Sequence, residues 1–103
     1  MSVLDELSAW HAAQCDGEWE HDHGISVQSC DNPGWWVKID VRQTPLAGRA
    51  FAPMQEGVDA EGFQTGPRWI SCRIKDEIWH GAGDESRLEE ILSCFLAWSR
   101  SEA

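Results

Sequence analysis

The chain has 103 residues, and its 18 acidic side chains outnumber its 8 basic ones, which gives a formal net charge of −10. This length supports one hydrophobic core, so we predict a single domain over residues 1–103. The excess of acidic groups disfavours a nucleic-acid-binding protein or one attracted to an anionic membrane, because both bind through clustered Lys and Arg. Seven Trp residues without any Tyr are the other unusual feature.

The first predicted element is a helix over residues 3–14. Ser2 and Asp5 supply an N-terminal cap, and Val3, Leu7 and Trp10 lie on one helical stripe. The helix is short, so packing against the rest of the domain must stabilise it.

The next segment, residues 15–24, is polar and acidic, with Trp19 as its one large apolar side chain. It lies within residues 1–31, which carry seven acidic side chains and no Lys or Arg. In an extended conformation its four carboxylates would share one face: Asp16, Glu18, Glu20 and Asp22. Such a face is either a solvated surface or a patch directed at a basic partner.

A β-hairpin is predicted after this segment. Residues 25–29 alternate apolar and polar side chains, as in a half-buried strand, and the sequence Asp-Asn-Pro-Gly at 31–34 is typical of a turn. A second strand follows over 35–42, with Trp35 on one face and Trp36 on the other.

The second half of the chain predicts three further strands and a helix. Residues 44–67 contain seven Gly or Pro residues and predict a loop with a short strand within 51–58. Strands are predicted over 69–74 and 78–80, joined by a turn at Asp76 and Glu77, with a loop over 81–84. Ser86 and Glu89 form a capping box for a final helix that ends at Ser99.

These elements predict an α+β fold, in which an antiparallel sheet of about four to five strands packs against an N-terminal and a C-terminal helix. The helices should cover one face of the sheet and leave the other to solvent. That other face would carry a mixture of aromatic and basic side chains: Trp36, Lys38, Arg42, Trp69, Arg73 and Lys75. Trp and Arg are the commonest hot spots of protein interfaces, so this face is a candidate binding surface.

No group of residues in the sequence has the pattern of a catalytic or cofactor-binding site. His11, Cys15, His21 and His23 form the one cluster that resembles metal ligands, but their spacing matches no zinc motif, so we predict no metal. Cys72 lies at an inward strand position without a neighbouring group to lower its pKa. We therefore predict that the protein is not an enzyme. A thiol-dependent enzyme of the sulfurtransferase kind and a small-ligand-binding module are the alternatives.

The compartment is predicted from the N-terminus and the cysteines. Residues 1–6 lack the basic and apolar regions of a signal peptide, and no apolar run approaches the length of a membrane helix. We therefore expect a cytoplasmic protein whose four cysteines are free thiols.

The sequence resembles the immunity protein 53 family in three segments. The first is Cys15-Asp16-Gly17-Glu18-Trp19-Glu20-His21, and the second is the turn Asp31-Asn32-Pro33-Gly34-Trp35. The third is the closing segment Leu88-Glu89-Glu90-Ile91-Leu92-Ser93-Cys94-Phe95, preceded by a Gly-rich loop. The resemblance covers most of the chain, with residues 44–67 as its weakest part.

The resemblance implies a bacterial immunity protein of a polymorphic-toxin or contact-dependent inhibition system. Such a protein binds a cognate toxin domain in the cytoplasm and blocks its active site without catalysis. Many toxins of this kind are nucleases with basic clefts, which an acidic partner would occupy in place of phosphate. We therefore expect the toxin-binding residues to be Asp16, Glu18, Glu20, Asp22, Trp36 and Trp69.

The remaining residues of the two N-terminal motifs have either a structural or a binding role. They are Cys15, Gly17, Trp19, His21, Asp31, Asn32, Pro33, Gly34 and Trp35. For Trp19 and Trp35 we favour packing over contact with a partner, because Trp is readily buried.

Overall fold

The computed structural model describes residues 2–30 and 33–101, and these form an antiparallel sheet with helices at both ends of the chain. The elements in chain order are α1 Val3–Gln14, α2 Trp19–Asp22, β1 Ile25–Cys30, β2 Gly34–Asp40, β3 Met54–Glu56, β4 Ile70–Lys75, β5 Ile78–Gly83 and α3 Leu88–Arg100. The five strands are arranged in the order β1-β2-β5-β4-β3, and every neighbouring pair is antiparallel. The predicted α+β class and the two terminal helices are confirmed.

Helix α1 has the bounds and the cap that the sequence predicts. The hydroxyl oxygen of Ser2 accepts a hydrogen bond from the backbone N–H of Asp5 at 3.1 Å. The helix is held by α3, since the Trp10 ring meets Phe95 edge to face with 5.0 Å between centroids. An ion pair of 2.6 Å between Glu6 and Arg100 also links the two helices.

The core lies between the helices and one face of the sheet. The strands contribute alternate residues to it, so the inward side chains of β2 and β5 are fully buried, as Val37, Ile39 and Trp79 are. Helix α3 covers them with an apolar stripe that includes Phe95, whose ring lies 5.3 Å from that of Trp79. Burial of these large side chains is the main stabilising contribution to the domain.

The predicted loop at 81–84 is wrong, because strand β5 continues to Gly83 and pairs with both β2 and β4. Gly81 and Gly83 lie on the face that α3 covers. A Cβ on Gly81 would collide with Ile91 of α3 and approach the Trp79 ring to 2.7 Å. The two glycines therefore mark the place where helix and sheet pack most closely, and not a turn.

The predicted capping box of the last helix is also wrong. Helix α3 begins at Leu88, and the side chain of its preceding residue, Arg87, accepts no capping hydrogen bond. The hydroxyl and the backbone N–H of Ser86 instead donate to the carboxylate of Asp84. The helix ends at Arg100, one residue beyond the predicted end.

The strands follow the predicted alternation with small differences in their bounds. β2 ends at Asp40 and not at residue 42, and β3 occupies only three residues of the predicted range. The turn between β4 and β5 is confirmed, and both of its residues have positive φ, 54° at Asp76 and 64° at Glu77, as a tight hairpin turn requires. Of the predicted first turn, Asp31 and Asn32 lie outside the described residues.

We expect Gly81→Ala to lower the free energy of unfolding by about 1–3 kcal/mol, because the added methyl group overpacks the contact with Ile91 and Trp79. Gly66→Ala is the matched control, since a Cβ there meets no atom within 4 Å. Urea unfolding followed by Trp fluorescence measures both. Equal stability of the two variants would show that α3 does not pack on Gly81 as described.

Candidate functional site

The face of the sheet that points away from α1 and α3 is the candidate site, and we call it the outer face. Strand alternation and register place on it these side chains: Ser26, Gln28 and Cys30 of β1; Trp36, Lys38 and Asp40 of β2; Ile78, His80 and Ala82 of β5; Ser71, Arg73 and Lys75 of β4; and Gln55 of β3. Both terminal helices pack on the opposite face, so the outer face is left to solvent or to a partner.

An open groove of about 290 Å³ crosses the outer face between Trp36 and Trp69. Its other lining residues are Cys30, Gln55, Gly62, Ser71, Arg73, His80 and Ala82. The small side chains of Ser71 and Ala82 sit side by side in adjacent strands, which leaves a depression between the larger groups. The structure thus brings together the two Trp residues that the sequence predicts as contact residues.

Trp36 is held in place although its side chain is 39% exposed. Its ring stacks on His80 with 6.2 Å between centroids and an interplanar angle of 26°. The Nζ atom of Lys38 lies 4.1 Å from the centre of the same ring, within the range of a cation–π contact. These contacts order a large exposed aromatic group, and a preordered group loses little entropy when a partner binds.

Trp69 is positioned by the buried carboxylate of Asp84. One Asp84 oxygen accepts a hydrogen bond from the Trp69 backbone N–H at 2.8 Å, and the other accepts one from the Ser86 backbone N–H at 2.8 Å. The guanidinium groups of Arg68 and Arg87 lie 3.0 and 3.3 Å away. Burial raises the pKa of Asp84, but these hydrogen bonds outweigh burial and hold the pKa well below its usual range.

Basic side chains occupy the middle of the outer face. The strand register places Lys38 beside His80 and His80 beside Arg73, and Lys75 follows Arg73 on the same side of β4. Among the described residues, no carboxylate lies within ion-pair distance of Lys38, Arg73 or Lys75. Burial lowers the pKa of His80, and these three cations lower it further. This part of the face is therefore basic in an otherwise acidic protein.

Asp40 lies at the other end of the outer face and is internally paired. Its carboxylate accepts a hydrogen bond from Arg42 Nη2 at 2.7 Å and lies 2.7 Å from His23 Nδ1. Burial raises the pKa of Asp40, but the hydrogen bonds from Arg42 and His23 outweigh it and lower the pKa to about 2. The side chain of Arg42 is thereby bound to Asp40, and Asp40 offers little charge to a partner.

The acidic segment does not adopt the extended conformation in which its four carboxylates would share a face. The chain turns at Gly17, where φ is +95°, and then forms the short helix α2. Asp16 Oδ1 accepts hydrogen bonds from the backbone N–H groups of Glu18 and Trp19, both at 2.9 Å. The Glu20 carboxylate accepts those of Asp16 and Gly17 at 3.0 and 2.9 Å. Asp16 and Glu20 thus stabilise the turn.

The other two carboxylates of the segment are exposed. Within the described part of the chain, the side chains of Glu18 and Asp22 form no hydrogen bond or ion pair. Asp22 borders a second hollow with Lys38, Asp40 and Ile78, away from the groove between the two Trp residues. The acidic segment and the Trp groove are therefore separate surfaces.

Trp19 and Trp35 both have structural contacts. Trp19 is 3% exposed, and its indole N–H donates to the backbone carbonyl of Arg42 at 2.9 Å. The Trp35 indole N–H donates to the carbonyl of Glu85 at 3.1 Å, and its ring packs against the core. The residue before Trp35 is Gly34, where a Cβ would collide with the Gly83 carbonyl.

Three further motif residues lie at the surface. Cys15, His21 and Pro33 are exposed, and the Cys15 thiol donates to the His11 carbonyl at 3.3 Å. The described residues contain no group of three or more His, Cys, Asp or Glu side chains arranged to hold a metal ion. In the same part of the chain, no helix is both long and apolar enough to span a membrane.

Cys72 is fully buried at its inward strand position. The neighbouring Cys94 thiol and burial raise the pKa of its thiol. A thiol with a raised pKa is a poor nucleophile, so the geometry does not favour thiol-dependent catalysis at this residue.

His80 and Ala82 line the candidate site but are not among the residues that the sequence predicts there. Ala82 falls in the predicted loop because Gly81 and Gly83 suggest one, whereas His80 lies in the predicted strand over 78–80 but is not assigned to a face of the sheet. Extending that strand to residue 82 would place both side chains on the same face. Their neighbours across the sheet depend on strand order and register, which the sequence does not contain.

We expect Asp16→Ala to lower the urea midpoint of unfolding, because it removes the acceptor of two backbone N–H groups at the start of α2. Glu18→Ala is the matched control, since it deletes an exposed carboxylate in the same segment and should leave the midpoint close to that of the wild type. Equal midpoints for the two variants would contradict a capping role for Asp16.

We expect the stabilisation by Asp40 to depend on pH in acid. Because the pKa is about 2 in the folded protein and 3.8 unperturbed, the contribution is present above pH 3.8 and is lost as the pH falls toward 2. The stability difference between wild type and Asp40→Asn should therefore shrink by roughly 2 kcal/mol over that interval. Urea titrations of both proteins from pH 2 to 6 measure this difference, and a difference that stays constant over the range would contradict the pairing of Asp40 with Arg42 and His23.

Comparison with known proteins identifies one family. A family model described as immunity protein 53 matches residues 4–100, which is nearly the whole chain. No curated protein and no solved structure shows significant similarity. The matched range includes α2 with its capping carboxylates, the whole sheet and helix α3. The chain therefore belongs to the immunity protein 53 family.

Proposed function

We propose that this chain neutralises a cognate toxin domain by binding it and covering its active site, without catalysing a reaction. Membership of the family supports an immunity function and a protein partner in general. The observation that carries the proposal for this chain is the outer face, where an ordered, exposed Trp borders an open groove. An aromatic group in such a setting is typical of an interface hot spot.

The proposed anchors are Trp36 and Trp69, on the two sides of the groove. Trp36 supplies exposed apolar area that is already fixed by His80 and Lys38. Trp69 is fixed through its backbone by Asp84. A side chain of the toxin that fills the groove would bury both rings without a large loss of side-chain entropy.

The acidic segment has a smaller proposed role than the sequence suggests. Glu18 and Asp22 keep exposed carboxylates and are proposed as secondary contacts. Asp16 and Glu20 were also expected at the interface, but their carboxylates accept hydrogen bonds from the backbone of their own turn. Asp16 and Glu20 are therefore proposed to influence binding indirectly, by fixing the conformation of that turn.

A nuclease is the class of toxin that the overall charge favours. A net charge of −10 would accelerate association with a basic substrate cleft, and Glu18 and Asp22 are the carboxylates of the segment best placed to enter it. The association rate should then fall as salt is added. A rate that is insensitive to ionic strength would exclude this steering.

Two alternatives fit the geometry less well. Thiol catalysis at Cys72 is disfavoured by burial and by the raised pKa of the thiol. A small-ligand module would present an enclosed pocket, whereas the groove holds about 290 Å³ and is open to solvent. The proposed place of action is the cytoplasm, where the four free thiols would remain reduced.

We expect Trp36→Ala to weaken binding to the toxin domain by about thirtyfold or more, the loss typical of a hot-spot Trp. The toxin domain to test is the one encoded beside this gene, and calorimetry with the purified proteins gives the affinity. The variant should also lose the ability to protect cells that express the toxin.

Leu4→Ala is the control for this variant. Leu4 is also an exposed apolar residue, at 65%, but it lies on α1 on the opposite side of the sheet. If Trp36→Ala leaves toxin binding unchanged, the toxin does not bind at the outer face. A wild-type chain that neither binds nor protects would refute the proposed function itself.

A further inference from the structure

The bases of this chain are distributed unevenly between paired and unpaired positions. Of its 8 basic residues, four form ion pairs with carboxylates: Arg42, Arg68, Arg87 and Arg100. Of the other four, Arg49 lies against Trp98 and donates to Ser101. The remaining three, Lys38, Arg73 and Lys75, are all on the outer face and have no ion-pair partner among residues 2–30 and 33–101.

The three unpaired bases form a compact group. Lys38 and Arg73 lie on the strands that flank β5, with His80 between them in register. Neighbouring strands are about 4.8 Å apart, so these two side chains originate about 10 Å from each other. Lys75 lies two residues further along β4 on the same side. A peptide segment that crosses the strands would meet all three.

The carboxylates near this group form no ion pair with it. Asp22 lines a hollow together with Lys38, but the two side chains form no ion pair among the described residues. Asp40 is bound by Arg42 and His23. Asp76 is close enough to raise the pKa of His80. Asp76 nevertheless lies in the turn beyond Lys75 and forms no ion pair within the described residues. A surface with three unpaired cations beside an aromatic groove is complementary to an acidic partner that also carries an apolar side chain.

We propose that the outer face binds an acidic segment of the toxin domain, with one apolar or aromatic side chain seated between Trp36 and Trp69 and carboxylates on Lys38, Arg73 and Lys75. This proposal rests on the proposed function, because it takes the toxin as the partner. It adds the sign of the charge that the toxin presents. That sign is opposite to the charge of a nuclease cleft, so contact at the outer face would not imitate phosphate.

A nucleic acid is the other polyanion that such a face would attract, but the charge distribution favours a protein. Nucleic-acid affinity comes from many phosphate contacts, whereas the outer face carries three cations without an ion pair among the described residues, on a chain of net charge −10. A short acidic segment needs only two or three such contacts and gains further affinity from the groove.

The test compares two double variants that carry the same net charge. Arg73→Gln with Lys75→Gln removes two charges from the outer face, and Arg49→Gln with Arg100→Gln removes two charges elsewhere, so both variants reach −12. We expect the first to bind the toxin domain at least about tenfold more weakly than wild type, with a smaller salt dependence. The second should remain within about twofold. Urea unfolding midpoints confirm that both variants are folded.

Each other outcome overturns the proposal. Equal weakening by both variants would mean that overall charge, and not the outer face, determines affinity. Tighter binding by the outer-face variant would mean that the toxin surface there is basic. Binding of a single-stranded oligouridylate that depends on Arg73 and Lys75, with toxin binding unchanged, would assign the face to nucleic acid. Failure of the wild type to bind the toxin would instead refute the proposed function on which this proposal rests.

Discussion

The buried carboxylate of Asp84 is the constraint on which the rest of the structure depends. It is 1% exposed, and it accepts hydrogen bonds from segments before β4 and before α3. A buried charge without partners would be very unfavourable, so the surrounding N–H groups and the two guanidinium groups of Arg68 and Arg87 must stay in place around it. The same contacts fix the start of α3 over the core and the backbone of Trp69 at the edge of the groove.

Close packing of α3 on the sheet explains why the proposed binding residues lie on the opposite face. Gly81 and Gly83 let the helix approach β5, so the large inward side chains, Trp79 above all, fill the space beneath it. Strand alternation then sends His80 outward together with Trp36. The inward face of the sheet thus contributes to the core, whereas the side chains of the outer face take no part in it.

The motifs that carry the family resemblance build the frame of the protein. Asp16 and Glu20 accept the backbone hydrogen bonds of a turn, and Trp19 is buried. Gly34 has no side chain and so leaves room for the Gly83 carbonyl. The proposed contact residues are mostly outside those motifs. This division suits a domain that keeps one scaffold and adapts its exposed face to a particular partner, because exposed substitutions cost little stability. In the proposed complex, the acidic majority of the surface would steer association and the basic outer face would provide recognition.

The sequence by itself determined the features that depend on neighbouring residues. The cap at Ser2, the extent of α1 and the alternation that sends Trp36 and Lys38 to one face follow from local geometry, and each agrees with the structure. Only the tertiary structure decided that Gly81 lies in a strand, because the reason is the proximity of Ile91 in α3. It also decided that Lys38, His80 and Arg73 are neighbours, since register joins residues far apart in the chain. The acidic segment shows the same limit: its charge is evident from composition, whereas the hydrogen bonds that occupy Asp16 and Glu20 arise from how the backbone turns.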